Sequence, residues 1–247
     1  MATGTTPAGT NSEAQAAGWV QQMFADIAPR YDLLNHLLSF NIDRGWRRAL
    51  LACLEPITER PNAKVLDLCC GTGDVLLDLK ETAKATLFGS DFCHPMLVAA
   101  QKKGHARGYA AQLFESDALA LPLADGTLDG IAIAFGFRNL ANYERALLEL
   151  ARVLAPGGIL AILEFSHPPG TLMRAAYGFY SRTVLPAVGG LLSGSREAYS
   201  YLPESIERFP AADKLRSMMS GAGFTETKFR LLSRGIAALH SGQKPKS

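Results

Sequence analysis

Three acids, each near the end of a short apolar run, are the residues of this chain best placed to hold a nucleoside. The first lies in Val65-Leu66-Asp67-Leu68-Cys69-Cys70-Gly71-Thr72-Gly73-Asp74, which reads as a strand carrying an acid, then a glycine pair, then a helix. Glycines at such a turn allow positive φ and a close ligand, and the helix that follows offers free N–H groups. Phe88-Gly89-Ser90-Asp91 ends a second run with a carboxylate suited to ribose hydroxyls. Glu115-Ser116-Asp117-Ala118 ends a third, where Asp117 can accept from an adenine amino group and Ala118 leaves room for the ring. The candidate contacts are thus Asp67, Gly71, Gly73, Asp91, Asp117 and Ala118. A dinucleotide loop would carry a third glycine at position 76, where this chain has Leu76, and Asp74 puts negative charge at the helix start. A cationic sulfonium ligand suits this turn better than a pyrophosphate. Taken singly, Asp67 and Asp91 read equally well as helix caps, and a lone Gly-x-Gly also makes ordinary turns. Their joint appearance at successive strand ends is what favours a ligand.

Elements must bring these ends together. Short apolar strands are expected at Lys64–Cys69, Thr86–Ser90, Gln112–Glu115, Gly130–Phe135 and Leu160–Phe165, with helices near Asp74–Lys84, Pro95–Arg107 and Tyr143–Leu154. That alternation requires a largely parallel sheet, whose ligands bind outside the carboxyl ends of the strands. A helix near Ala211–Ala222 and two strands, Thr225–Leu232 and Gly235–Leu239, close the pattern, the last pair antiparallel. Before the sheet, Trp19, Val20, Met23, Phe24 and Ile27 recur at helical spacing up to Pro29, and short helices follow near Tyr31–Ser39 and Asp43–Leu54. The fold expected is α/β and doubly wound: a mainly parallel seven-stranded sheet with an antiparallel last strand. Residues 1–17, small and polar apart from the initiator, are expected to be disordered. Residues 18–247 would form one domain, with a helical cap at 18–55 and an insertion or lid at 168–205.

Composition narrows the function. A chain of 247 residues, 48% hydrophobic, suits one large core. Its 25 Lys+Arg against 23 Asp+Glu form no block that would track a nucleic-acid backbone, so nucleic acid is not an expected partner. Cys53, Cys69, Cys70 and Cys93 lack the paired spacing of a zinc site, so no metal is expected, and reduced thiols fit a cytoplasmic protein. No stretch approaches the ~20 apolar residues of a membrane span.

The glycine turn resembles that of class I methyltransferases, which are Rossmann-like, and specifically that of the ubiquinone/menaquinone C-methyltransferases (UbiE/MenG). Three further segments resemble that family's motifs. They are Phe24-Ala25-Asp26-Ile27-Ala28-Pro29-Arg30-Tyr31-Asp32 with Asn35, Ser39 and Trp46-Arg47; Phe135-Gly136-Phe137-Arg138-Asn139; and Tyr199-Ser200-Tyr201-Leu202-Pro203-Glu204-Ser205-Ile206 with Phe209-Pro210. The resemblance spans residues 19–241 and implies S-adenosyl-L-methionine as cofactor, with contacts at Thr72, Asp91, Asp117 and Ala118. It implies a polyprenylated quinol as acceptor, methylated on a ring carbon, with demethylmenaquinol favoured over the ubiquinone-pathway benzoquinol. Ala134 stands where the family often has a serine that contacts the cofactor.

Methyl transfer to carbon needs an electron-rich ring carbon held opposite the sulfonium. Arg138 and Asn139, after the fourth strand, are the candidate catalytic residues: a guanidinium charged at any working pH would stabilise a phenolate. A surface arginine in a salt bridge is the plainer alternative. His167 reads as structural, and Tyr177, Tyr180, Tyr199 and Tyr201 suit a quinone pocket or a core equally. The amphipathic stretch Leu172–Leu192 suits a lid, and a prenylated substrate implies peripheral contact with the inner face of the plasma membrane; a homodimer stays open. Rivals are another small-molecule O- or N-methyltransferase, a non-catalytic cofactor-binding subunit, and a nicotinamide oxidoreductase, which Leu76 disfavours.

Overall fold

The computed structural model describes residues 4–32, 41–170, 178 and 196–246, with side chains throughout except at 30 and 196–200. Seven strands form one sheet: β1 (Lys64–Leu68), β2 (Thr86–Asp91), β3 (Gln112–Glu115), β4 (Leu128–Ala134), β5 (Leu154–Phe165), β6 (Thr225–Leu232) and β7 (Ala237–Gln243). Their order is β3-β2-β1-β4-β5-β7-β6. The first five pair in parallel, and β7 runs antiparallel to both β5 and β6. Order reverses beside β1, so the crevice above β1 lies at the switch point where α/β sheets bind ligands.

The helices are α1 (Glu13–Ile27), α2 (Asp43–Thr58), α3 (Asp74–Lys80), α4 (His94–Ala106), α5 (Tyr143–Val153), α6 (Arg196–Arg208) and α7 (Ala212–Gly221). Period-two strands feed two cores. Val65, Ala132, Ala161 and Leu163 face Leu50 and Leu54 of α2 and Leu76 and Leu79 of α3. Their neighbours Leu66, Ile131, Ile133 and Ile162 face Leu147 and Leu150 of α5 and Leu215 and Met219 of α7. Each fully buried leucine contributes about 2 kcal/mol of transfer free energy, which fixes the strand register.

Of the boundaries that differ from the sequence reading, three change how the elements pack; α2 also runs on to Thr58 and α3 stops at Lys80. Strand β5 begins at Leu154, because Leu154 already pairs with Leu128 and the register shifts before Gly130. Pro156-Gly157-Gly158, with Gly157 at φ +80, is therefore an irregularity inside the strand and not the turn that opens it. Strand β7 continues to Gln243 against Ile159. Finally, helix α1 begins at Glu13, inside the 1–17 stretch expected to lack structure, and the residues from Gly4 onward pack on the domain. Ser12 caps α1 by accepting from Gln15 N at 3.2 Å, and Ala16, Val20, Met23 and Ile27 bury one helical face. Upstream, Thr5 N donates to Leu140 O at 2.8 Å, and a Cβ on Gly4 would lie 1.9 Å from Ala141 O. Small residues bury little apolar area, yet they let backbone dock on backbone, which a composition rule cannot see. Expected features over 33–40 and over Leu172–Leu192 fall almost wholly outside the described residues. Among the described residues, no helix is long and apolar enough to cross a membrane.

His240 on β7 is 1% exposed and shares a hydrogen bond between Nε2 and Ala212 O at 3.0 Å. Burial lowers its pKa from 6.5 to about 4 against that bond. The folded state thus prefers neutral imidazole while the unfolded chain protonates near pH 6.5, so stability is full above that pH and falls as pH drops toward 4. We expect a loss of about 3 kcal/mol across that window, measurable by chemical denaturation at several pH values. His240→Gln should flatten this dependence, whatever it costs at neutral pH.

Candidate functional site

The carboxyl ends of β1, β2, β3 and β4 surround a solvent-open cleft with about 720 Å³ of empty space, its open mouth included. Gly71, Asp91, Asp117 and Ala118 line one wall, Ala134, Phe135, Gly136 and Asn139 another, and Ala17, Phe24 and Tyr31 from the N-terminal segment close it. The acids here are held by backbone. Asp91 accepts from Gly71 N at 2.8 Å through one oxygen and from Cys93 N at 2.9 Å through the other. Asp117 accepts from Leu119 N at 2.9 Å. Burial pushes the Asp91 carboxyl above its ordinary range, and those amide donors oppose the rise.

Asp67 is placed elsewhere. It is 1% exposed, does not line the cleft, and accepts from Leu76 N at 3.0 Å inside α3. It is the cap for a free N–H in the first turn of that helix, the plainer of its two readings. Thr72 and Gly73 shape the turn without lining the cleft. Gly73 has φ +83, and a Cβ there would sit 3.2 Å from Ala100 Cβ. Thr72 donates to Asp32 and accepts from Lys103 at 3.2 Å. Lys103 also meets Asp74 at 2.7 Å, and Arg47 approaches Asp74 at 3.6 Å. Arg47 also pairs with Asp43 and Asp78 and Lys103 with Asp32, so two cations serve four carboxylates and the helix start keeps the negative character expected from Asp74.

Position 76 excludes a dinucleotide loop by packing. Leu76 is buried over β2, where a Cβ on Gly89 would lie 3.0 Å from its Cδ2 and 2.7 Å from Leu113 Cδ2. The small residue is on the strand and the large one on the helix, the reverse of a dinucleotide loop.

Left-handed residues end both central strands: Cys69 at φ +55 after β1 and Phe135 at φ +58 after β4. Gly136 passes so close to Cys69 that a Cβ would lie 2.3 Å from Cys69 Cβ, which explains the glycine of Phe135-Gly136-Phe137-Arg138-Asn139. The Cys69 thiol lines the cleft, and its pKa is pushed well up, first by burial and then by Asp91, Asp67, Glu164 and Asp117. Glu164 is paired with Arg138, and burial favours the neutral form of Asp67, so the negative character of this wall rests on Asp91 and Asp117, which fits a sulfonium bearing an ammonium group.

Arg138 does not line the cleft. Its Nη1 donates to Glu164 Oε1 at 2.9 Å and to Phe135 O, and its guanidinium carbon lies 5.3 Å from the Phe165 ring centroid. Burial is the largest influence and opposes the charge, but Glu164, Tyr201 and Tyr31 together outweigh it and raise the Arg138 pKa. Glu164, fully buried, also accepts from Arg138 N at 3.2 Å and Phe165 N at 2.8 Å. Glu164 was not singled out from sequence, although an acid within the apolar run Ile159–Phe165 carries the same signal as Asp67. Asn139 does line the cleft, while Tyr201 is buried against Trp19 with ring centroids 5.1 Å apart. Phe135, also lining the cleft, stacks toward Phe165 at 4.8 Å and Trp46 at 5.9 Å. His167 is half-buried and stands apart from the cleft. Tyr177 and Tyr180 lie outside the described residues, and the Tyr199 side chain is not described.

Negative walls, a ribose-ready carboxylate and a helix that crowds out pyrophosphate belong together in one class, the S-adenosylmethionine-dependent methyltransferases. Within that class the chain belongs to the ubiE/COQ5 methyltransferase family, whose pattern matches residues 10–244. A demethylmenaquinone methyltransferase of Thermus thermophilus is 52% identical over 224 residues, covering 90% of this chain and all of that one. A ubiquinone/menaquinone biosynthesis C-methyltransferase of Roseobacter denitrificans is 43% identical, covering 95% of this chain and 94% of that one. Among solved structures, the [4+2]-cyclase SpnF aligns with TM-score 0.70 at 17% identity, covering 99% of this chain and all of that one. A Thermotoga maritima methyltransferase described as a possible histamine N-methyltransferase aligns with TM-score 0.62 at 19% identity, over 90% of this chain and 98% of that one. At these identities the two structures establish the fold.

A buried ion pair broken on one side leaves an uncompensated charge, typically costing about 3–5 kcal/mol. We expect Glu164→Leu to lose that much by guanidinium denaturation, and the double variant Glu164→Leu/Arg138→Met to regain most of it. A single-variant loss below about 1 kcal/mol, as for a surface pair, would sink the buried pairing.

Proposed function

We propose that this methyltransferase transfers a methyl group to a ring carbon of a polyprenylated quinol, with demethylmenaquinol as acceptor and menaquinol as product. Support comes from the 52% identity that spans the whole of a relative named for demethylmenaquinone. Bound S-adenosylmethionine supplies the electrophilic methyl group. Asp91 holds the ribose hydroxyls through the lone pairs that the Gly71 and Cys93 amides leave free. Asp117 accepts from the adenine amino group and Ala118 makes room for the ring, while Gly71, Thr72 and Gly73 set the shape of the turn. Asp67 contributes by fixing α3 and not by contact. Ala134 lines the cleft without a hydroxyl, so shape rather than a hydrogen bond governs that point.

Loss of the quinol proton pushes charge into the ring, and a donor must steady the resulting oxygen. Asn139 faces the cleft and serves as that donor; Arg138, neutralised by Glu164 and bonded to Phe135 O, holds the turn that carries Asn139. This assigns contact with the acceptor to Asn139 and a supporting structural role to Arg138. Phe135, backed by Phe165 and Trp46, gives the cleft an apolar wall for the start of the prenyl chain. The enzyme works in the cytoplasm at the membrane surface, where its substrate resides. The N-terminal helices act as a cap over the sheet.

Labelled S-adenosylmethionine should give labelled lipid with demethylmenaquinol and much less with the demethylated benzoquinol; no transfer to either overturns the proposal. Asp91→Asn should weaken S-adenosylhomocysteine binding by at least about tenfold in calorimetry, the value of one charge-assisted hydrogen bond. Unchanged affinity would remove Asp91 from the cofactor site.

A further inference from the structure

The amide of Asn139 has two orientations, and its surroundings select one. Its nitrogen lies 3.4 Å from Phe135 O, a carbonyl that only accepts, so Nδ2 must face it and Oδ1 must face the other way. Oδ1 then accepts from the Tyr201 hydroxyl at 3.1 Å. Because the Tyr201 proton is committed to Asn139, the 2.7 Å contact between Tyr201 OH and Thr5 Oγ1 has Thr5 as donor. The result is a one-way chain, Thr5 to Tyr201 to the Asn139 carbonyl, with all three residues at most 7% exposed. Successive hydrogen bonds polarise one another, so each donor upstream makes the Asn139 N–H groups better donors.

Each link is held from outside the chain. Trp19 packs on the Tyr201 ring, and Thr5 N donates to Leu140 O, the residue next to Asn139. Gly4 lies against Ala141, Arg208 reaches Thr6 O, and Glu13 accepts from Asn142 Nδ2 at 2.9 Å. The segment before α1 is thus fastened across the turn that carries Asn139.

We propose that Tyr201 is a positioning residue for methyl transfer, that it acts through Asn139, and that Thr5 of the N-terminal segment sets it. The N-terminal segment thereby completes the catalytic wall instead of merely covering it. This rests on the reading of Asn139 as the group facing the acceptor; wild-type transfer to demethylmenaquinol tests that reading separately, before any variant is compared.

The experiment measures kcat, acceptor KM, S-adenosylhomocysteine affinity and Tm for Tyr201→Phe, Thr5→Val, Thr5→Ser and the double variant Tyr201→Phe/Thr5→Val in the full chain. Tyr201→Phe should lower kcat about tenfold, and Thr5→Val about threefold. The product affinity should stay within about twofold, because neither residue touches the cofactor wall. Thr5→Ser, which keeps the hydroxyl, should restore turnover, and Thr5→Val should have no further effect once Tyr201 is phenylalanine. Wild-type kcat in Tyr201→Phe overturns the proposal. So do multiplying losses in the double variant, and so does a kcat loss that merely follows a fall in Tm. Thr5 lies outside the main cores, so its variants remain folded tests even if Tyr201→Phe does not.

Discussion

A parallel strand that gives way to a turn leaves backbone amides without partners, and in this protein carboxylates answer nearly every such end. After β1, Asp67 takes the Leu76 amide; after β2, Asp91 takes those of Gly71 and Cys93; after β3, Asp117 takes that of Leu119. At the end of β5, Glu164 takes those of Arg138 and Phe165. The carboxyl edge is therefore rigid and anionic at once. Rigidity lets an acid keep its aim, and the shared negative potential favours a ligand that brings positive charge.

The counterpart is a small number of buried or half-buried cations, two of which share Asp74. Arg138 answers Glu164, and Arg47 and Lys103 answer Asp43, Asp74, Asp78 and Asp32. These cations fasten the glycine turn to α2, α4 and the Tyr31-Asp32 turn, so the cap and the sheet share one electrostatic frame. The strained backbone at Cys69 and Phe135 persists within it because neighbouring strands hold both ends.

The fold was legible because short apolar runs alternating with helices admit few arrangements, and most strand ends fall within two residues of the positions their patterns dictate. Asp91, Asp117 and Ala118 were legible for the same reason: a strand end points where the strand points. Asp67 and Arg138 were harder. Both belong to motifs at the correct edge, yet spacing cannot tell whether a side chain turns toward the cleft or folds back onto a free amide or a buried partner. Glu164 needed the insight that Arg138 required one. The docking of Gly4 and Thr5 rests on backbone contact with Leu140 and Ala141, some 130 positions away in sequence, which local composition does not encode.

The exchange of bulk between Leu76 and Gly89 bears on how such a turn can diversify. Trimming the helix to glycine would leave a hole above a strand that has no side chain to fill it, so the outcome is a void and not a phosphate cradle. Refilling the strand first would drive a methyl group into Leu76 and Leu113. Either change alone is unfavourable, so no single substitution converts this turn into one that admits a pyrophosphate.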